Sequence, residues 1–376
     1  MSRYSSVNGS IHLDFAFQDR SLEAFYNPKT FHPRQSRVLF HETVHFWQYL
    51  NSGYLMQLVE EDWSRLIHFE DTGDYRRTAS RRNHYVTPDE DHGMSPRDLV
   101  EVFARFWDVQ VIGPPDLIAM EIEAGRSGVD IAARYHEMER RGSLRHPGHG
   151  GYSWESFELA MEGPGGGWAR PYAVLRETCP VRAASVFFPI AASLALKTAD
   201  PIRTFVFLMS GAADLENLLV PLETPHQMWR WCHNFLTGLL VKLDDNLLLG
   251  NRIKVAGEGP LGETPFWKWM IGYVLKSAAE LAARDNPGLN WEEAVPQGIE
   301  ELSFLLACPG DPCNRSLLVP LLLPPLVTFA DGSMWCPAAD AARSIQTPKD
   351  GLATIKQVSD LAAQIGERWE TFLAVQ

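Results

Sequence analysis

The chain has 376 residues, of which 45% are hydrophobic and 22% are charged, and its formal net charge is −13. These proportions are typical of a globular protein that buries a core, and the negative charge argues against nucleic acid as the main partner. The longest apolar stretches, 183–196 and 317–327, are short and contain proline, so we expect no membrane span.

The cysteines and the amino terminus together predict a cellular location. The chain contains five cysteines, which is an odd number, and its first residues lack the apolar segment of a secretory signal peptide. Free thiols are typical of a reducing compartment. We therefore expect a cytoplasmic protein.

The first part of the chain is predicted to contain one strand followed by helices. Large apolar residues occupy every second position of 11–17, which predicts the strand. Ser95 is a good capping residue, Pro96 suits a first helical turn, and Asp98 follows three residues after the cap, so a helix should begin here. Other helices are predicted at about 34–51, 54–69 and 115–141, and a polar loop at 71–94.

Two clusters rich in glycine and proline, at 146–151 and 163–167, mark the best candidate boundary. We predict a metal-binding lobe at 1–145, a linker at 146–170 and a second, mostly helical lobe at 171–376. Helices are expected in the second lobe at about 181–198, 200–212, 225–243, 264–284 and 350–374, with a hairpin at 326–336 that turns at Asp331-Gly332. The predicted fold class is mainly α with a few short β-strands.

The most informative motif is His41-Glu42-Thr43-Val44-His45. On a helix, residues four apart lie on one face, so the two imidazoles can bind one divalent ion at about 2.0–2.1 Å each. Glu42 lies about 100° around the helix, beside the ion, where it can take a proton from a water molecule. The alternative interpretation is an apolar core helix whose histidines are hydrogen-bonded to carbonyls or carboxylates.

This pattern resembles the zincin metallopeptidases, whose motif is His-Glu-x-x-His. The resemblance covers the helix at 34–51. It implies metal ligands at His41 and His45, a catalytic carboxylate at Glu42 and a zincin-like fold around the motif helix.

The resemblance also bears on the third ligand. The metzincin branch has glycine and histidine where this chain has Gln48 and Asn51, so that branch is excluded. The gluzincin branch takes its third ligand from a glutamate on a later helix, often with a small residue three positions on. Glu101, followed by Ala104, looks like that second motif, and we select Glu101 as the third ligand.

The sequence leaves other interpretations of the third ligand open. Glu101 is also placed to form an i, i+4 pair with Arg105. The other candidate ligands are Glu177, the acidic triplet Glu60-Glu61-Asp62, which more often marks a solvated face, and a histidine such as His68.

Two kinds of supporting residue are expected around such a centre. Metal-bound histidines usually donate their second ring N–H to a carboxylate or carbonyl, and Asp108 and Glu61 are candidate acceptors. Amide hydrolysis also requires a donor to the developing oxyanion, for which Tyr172 and His149 are candidates.

These motifs predict a metal-dependent hydrolase of peptide or peptide-like amide bonds, with zinc as the metal and Glu42 as the general base. The expected partner is a peptide or small-molecule substrate, with no nucleic acid or membrane. Two histidines and a carboxylate also hold iron in non-heme oxygenases, which is the main alternative. A third hypothesis is a helical binding protein without enzymatic activity.

Overall fold

The computed structural model describes residues 2–15, 33–74, 80–112, 181–212, 225–243, 326–336 and 349–375. In these ranges the chain is mainly helical and contains one small sheet, as the sequence predicts. The helices are α1 (Pro33–Asn51), α2 (Gly53–Thr72), α3 (Ser80–Val86), α4 (Pro96–Ile112), α5 (Val181–Ala195), α6 (Pro201–Ala212), α7 (Pro225–Leu243) and α8 (Lys349–Ala374). None of the helices in these ranges is both long and apolar enough to cross a membrane.

The sheet has four strands in the order β1 (Arg3–Ser5), β2 (Ser10–Leu13), β3 (Val327–Phe329) and β4 (Met334–Trp335). The outer pairs, β1–β2 and β3–β4, are antiparallel, and β2 pairs with β3 in parallel. The predicted hairpin is confirmed, and Gly332 in its turn has a φ of 77°, a conformation that glycine adopts without strain. The predicted strand at 11–17 is shorter than expected, since β2 ends at Leu13.

The start of α4 is confirmed in atomic detail. The Ser95 backbone N–H donates to Asp98 Oδ2 at 2.8 Å, and the Asp98 backbone N–H donates to Ser95 Oγ at 3.2 Å. This reciprocal pair satisfies two backbone donors that a helix end leaves without intrahelical partners.

A serine separates α1 from α2. Ser52 is extended, with φ −106° and ψ 115°, and its hydroxyl oxygen accepts a hydrogen bond from the Leu55 backbone N–H at 3.1 Å. The same hydroxyl donates to the Leu196 carbonyl at 2.6 Å. The capping residue of α2 therefore also attaches this corner to the segment after α5.

The prediction of a loop over the whole of 71–94 was wrong, because α3 forms within it. Tyr85 of α3 is buried, and Arg82 donates from Nε to Asp62 Oδ1 of α2 at 3.1 Å. Contacts with α2 thus stabilise a helix of seven residues that its own sequence would not maintain in water.

Buried aromatic residues connect the helices that support the motif. Phe103 of α4 lies 6.5 Å from Phe188 of α5, and Phe188 lies 5.8 Å from Phe205 of α6, measured between ring centroids. All three side chains are fully buried. These close-packed rings connect α4 to α5 and α6, and α4 in turn packs against α1.

Described residues from both predicted lobes contribute to one hydrophobic core, which includes Leu99 of α4, Phe188 of α5 and Phe372 of α8. The sheet likewise combines β2 from the first lobe with β3 from the second. The proposed linker at 146–170 and the predicted helices at 115–141 and 264–284 lie outside the described residues.

Candidate metal centre

The centre lies where α1 packs against α4, which is the most extensive helix contact among the described residues. His41 and His45 are one turn apart on α1, as the spacing requires, and Glu101 faces them from α4. The ligand atoms of the three side chains all lie within 4.8 Å of one another. Packing therefore brings together the three residues that the sequence selected.

The distances between these atoms fit a tetrahedral ion. His41 Nε2 and His45 Nε2 are 3.1 Å apart, and they lie 3.3 and 3.5 Å from Glu101 Oε2. A tetrahedral ion at about 2.0–2.1 Å from each ligand requires about 3.3–3.4 Å between ligand atoms. Two nitrogens and one carboxylate oxygen are also a donor set that zinc accepts, and a fourth position would remain open.

Gln48 orients His45, a role that the sequence reasoning missed. His45 Nδ1 is 2.8 Å from Gln48 Oε1, and Gln48 Nε2 donates to the Val100 carbonyl at 3.0 Å. The second bond fixes which end of the amide faces the histidine, so Oε1 accepts a hydrogen bond from the Nδ1–H group. The lone pair of His45 Nε2 is then directed at the centre. The available signal was the position of Gln48, one turn after His45 on the same helix.

Glu42 is buried beside the two histidines and is 8% exposed. Burial raises the pKa of its carboxyl group, whereas His45, His41 and a hydrogen bond from the Tyr4 backbone act in the opposite direction. Tyr4 belongs to β1, so the strand at the edge of the described sheet contributes to positioning this carboxylate. A carboxyl group with a raised pKa is suited to accept and return a proton near neutral pH.

Glu101 is held in its ionised form. Burial works against ionisation, but when the imidazoles are protonated, the charge of His45 and hydrogen bonds from His41 and His45 lower the pKa of the carboxyl group well below its usual range. An ionised carboxylate is the form that binds a metal ion.

The centre opens into a cavity of about 1050 Å³. Its walls come from β1, β2, α1, α2, α3, α4 and α8, so they include residues from both ends of the chain. Tyr49 and Tyr85 are among the residues that line it. Burial raises the pKa of both, and the nearby charge of Glu101 raises it further. They provide hydroxyl donors in the same cavity that the sequence reasoning did not select.

The other candidate ligands in the described ranges do not belong to the cluster. Asp62 is fully buried and pairs with Arg82. The expectation that the acidic triplet lies on a solvated face was therefore wrong for this residue. Glu61 is not in the cluster, and its buried Oε2 atom has no hydrogen-bond partner among the described residues. His68 lies in the last turns of α2, where its Nε2 is 3.4 Å from Thr72 Oγ1.

Three of the remaining predicted participants, Glu177, Tyr172 and His149, lie outside the described residues. The backbones of Asp108 and Arg105 belong to α4, but their side chains are not part of the description. Their roles stay predictions.

Comparison of the chain with protein-family models, with curated proteins and with solved structures gave no match. The functional conclusion therefore depends on the geometry of the centre.

Proposed function

We propose that this protein is a metal-dependent hydrolase of peptide or peptide-like amide bonds. The observation that carries the proposal is the convergence of His41, His45 and Glu101 at tetrahedral ligand spacing, with Glu42 buried beside them. We propose zinc as the ion, because it accepts this donor set and leaves a position for substrate. A zincin-like arrangement, with two lobes around the cavity, is part of the same proposal.

A zinc ion bound at this centre would supply Lewis acidity, which polarises a carbonyl oxygen and makes a nearby water molecule more acidic. Glu42 removes a proton from that water as its oxygen attacks the amide carbon. The carbon–nitrogen bond then breaks, and Glu42 returns the proton to the departing amine nitrogen. Gln48 keeps the Nε2 lone pair of His45 directed at the centre throughout.

A tyrosine hydroxyl is the candidate donor to the oxyanion. Tyr49 and Tyr85 each carry a phenolic hydroxyl group, which can donate a hydrogen bond. Both residues line the cavity that Glu101 also lines. A donor in this position would stabilise charge that develops during attack on the carbonyl.

The test begins with elemental analysis of protein purified without chelator. The proposal predicts one zinc ion per chain and zinc-dependent cleavage of amide bonds in a mixture of short peptides. Stoichiometric iron with consumption of O₂ would instead support the oxygenase alternative, which uses the same donor set. Protein that binds no divalent ion would support the non-enzymatic alternative.

A further inference from the structure

The wall of the cavity carries charged side chains, most of which the proposed hydrolysis does not use. Among the described residues, four arginines and four carboxylates line the cavity; they are Arg3, Arg65, Arg82, Arg97, Glu42, Asp62, Glu101 and Glu370. A divalent ion at the centre would make the total charge of this set positive, although the whole chain carries −13.

Most of these charges have identified partners. Arg3 pairs with Glu370 at 2.6 Å. Asp62 is shared by two guanidinium groups, with Arg65 Nη1 at 3.5 Å and Arg82 Nε at 3.1 Å from its Oδ1 atom. One carboxylate facing two arginines leaves an excess of positive charge on this wall.

Arg97 differs from the other three arginines. It is exposed on the first turn of α4, and no carboxylate of the described residues forms an ion pair with it. It precedes Glu101 by four residues, so the two side chains lie on one helix face with about 5–6 Å between their Cβ atoms. Arg97 therefore lies one helical turn before Glu101 and lines the same cavity.

We infer that the substrate carries a carboxylate group that binds Arg97 while its amide bond lies at the metal centre. The inference rests on the proposed function, because it needs the metal centre to hold the other end of the substrate. The guanidinium group matches a carboxylate with two parallel hydrogen bonds, a geometry that lysine does not offer. The carboxylate is either the carboxyl terminus of a peptide or an acidic side chain.

The inference can be tested with probes that contain a metal-binding hydroxamate at one end. Monohydroxamates of straight-chain dicarboxylic acids, from glutaric to suberic acid, are compared with the matching compounds in which a primary amide replaces the carboxylate. Binding to zinc-loaded protein is measured by calorimetry. At least one carboxylate probe should bind roughly tenfold more tightly than its amide, which corresponds to about 1.4 kcal/mol.

Variants assign the preference to Arg97. Arg97→Gln should abolish the preference for the carboxylate and leave the affinity for the amide probe unchanged, whereas Arg97→Lys should restore part of the preference. Arg81→Gln is the matched control, since Arg81 is exposed on α3 and does not line the cavity. Equal binding of every probe pair by the native protein, or a preference that survives in Arg97→Gln, would overturn the inference while the metal centre stands.

Failure of the metal centre, on which the proposed function depends, has a different signature, because neither probe would then show zinc-dependent binding. Short peptides distinguish the two sources of the carboxylate when they compete with the probe. Competition by free-acid peptides alone indicates a carboxyl terminus, and competition by amidated peptides that contain glutamate indicates a side chain. Both results support the inference.

Discussion

Gln48 accepts a hydrogen bond from His45 Nδ1 at 2.8 Å and donates one to the Val100 carbonyl at 3.0 Å, so a single amide connects the candidate metal centre to the backbone of α4. The amide fixes the tautomer and the ring orientation of His45 at the same time. It is also buried, with 1% of its surface exposed, so water cannot easily replace either partner.

Gln48→Ala should weaken zinc binding by about 10–100-fold, because His45 loses the partner that orients it. Gln48→Glu keeps an acceptor for His45 and should retain more of the affinity than the alanine variant. Competition with a fluorescent zinc chelator measures both. Gln35→Ala on the same helix is the control, and an unchanged zinc affinity in Gln48→Ala would contradict the role assigned to the amide.

Glu101→Gln should reduce zinc affinity by more than about 100-fold, since loss of a direct ligand exceeds the usual cost of removing an outer partner. The substitution preserves the size of the side chain and removes its charge. Glu60→Gln on α2 is the matched control, because Glu60 does not line the cavity. Undiminished affinity in Glu101→Gln would show that the third ligand is another residue, and Glu177 would be tested next.

Glu42→Gln should bind zinc stoichiometrically and cleave peptides about 10²–10⁴-fold more slowly, because an amide cannot accept the proton from water. His45→Ala serves as the comparison, since it should lose the metal and the activity together. Zinc content and turnover are measured on the same preparations. Turnover at the native rate by zinc-loaded Glu42→Gln would rule out Glu42 as the general base.

Asp62→Ala should lower the free energy of unfolding by about 3 kcal/mol, the low end of the range for breaking a buried ion pair. Asp62 is completely buried, whereas the Arg82 side chain is 37% exposed and keeps some contact with water. Glu70→Ala removes a pair with Arg368 in which both side chains are partly exposed, and it should cost less than about 1 kcal/mol. Urea denaturation compares the two variants, and equal losses would contradict this distinction.

Chelation should lower the melting temperature of the protein, and added zinc should restore it. An ion that binds only the folded state at about 100 times its Kd adds about 2.7 kcal/mol of stability. The same treatment should have little effect on His41→Ala, which lacks one of the ligands. A melting temperature that is insensitive to zinc in the native protein would argue against a bound ion.

Short-range patterns in the sequence were sufficient for several features. The Ser95–Asp98 cap, the hairpin turn at Asp331-Gly332 and the pairing of His41 with His45 all depend on residues within a few positions of each other. Helical periodicity and capping chemistry act over this distance, so the residue types alone predict the geometry.

Tertiary packing decided the rest. His41 and Glu101 are 60 residues apart, and periodicity could not tell whether α4 or another helix would face α1. The burial of Asp62, the formation of α3 and the contact of Gln48 with Val100 likewise depend on neighbours that are distant in the chain. Such contacts are stabilised when two helices bury their apolar faces against each other. Which helices pair in this way is determined by the packing of the whole fold and not by any local segment.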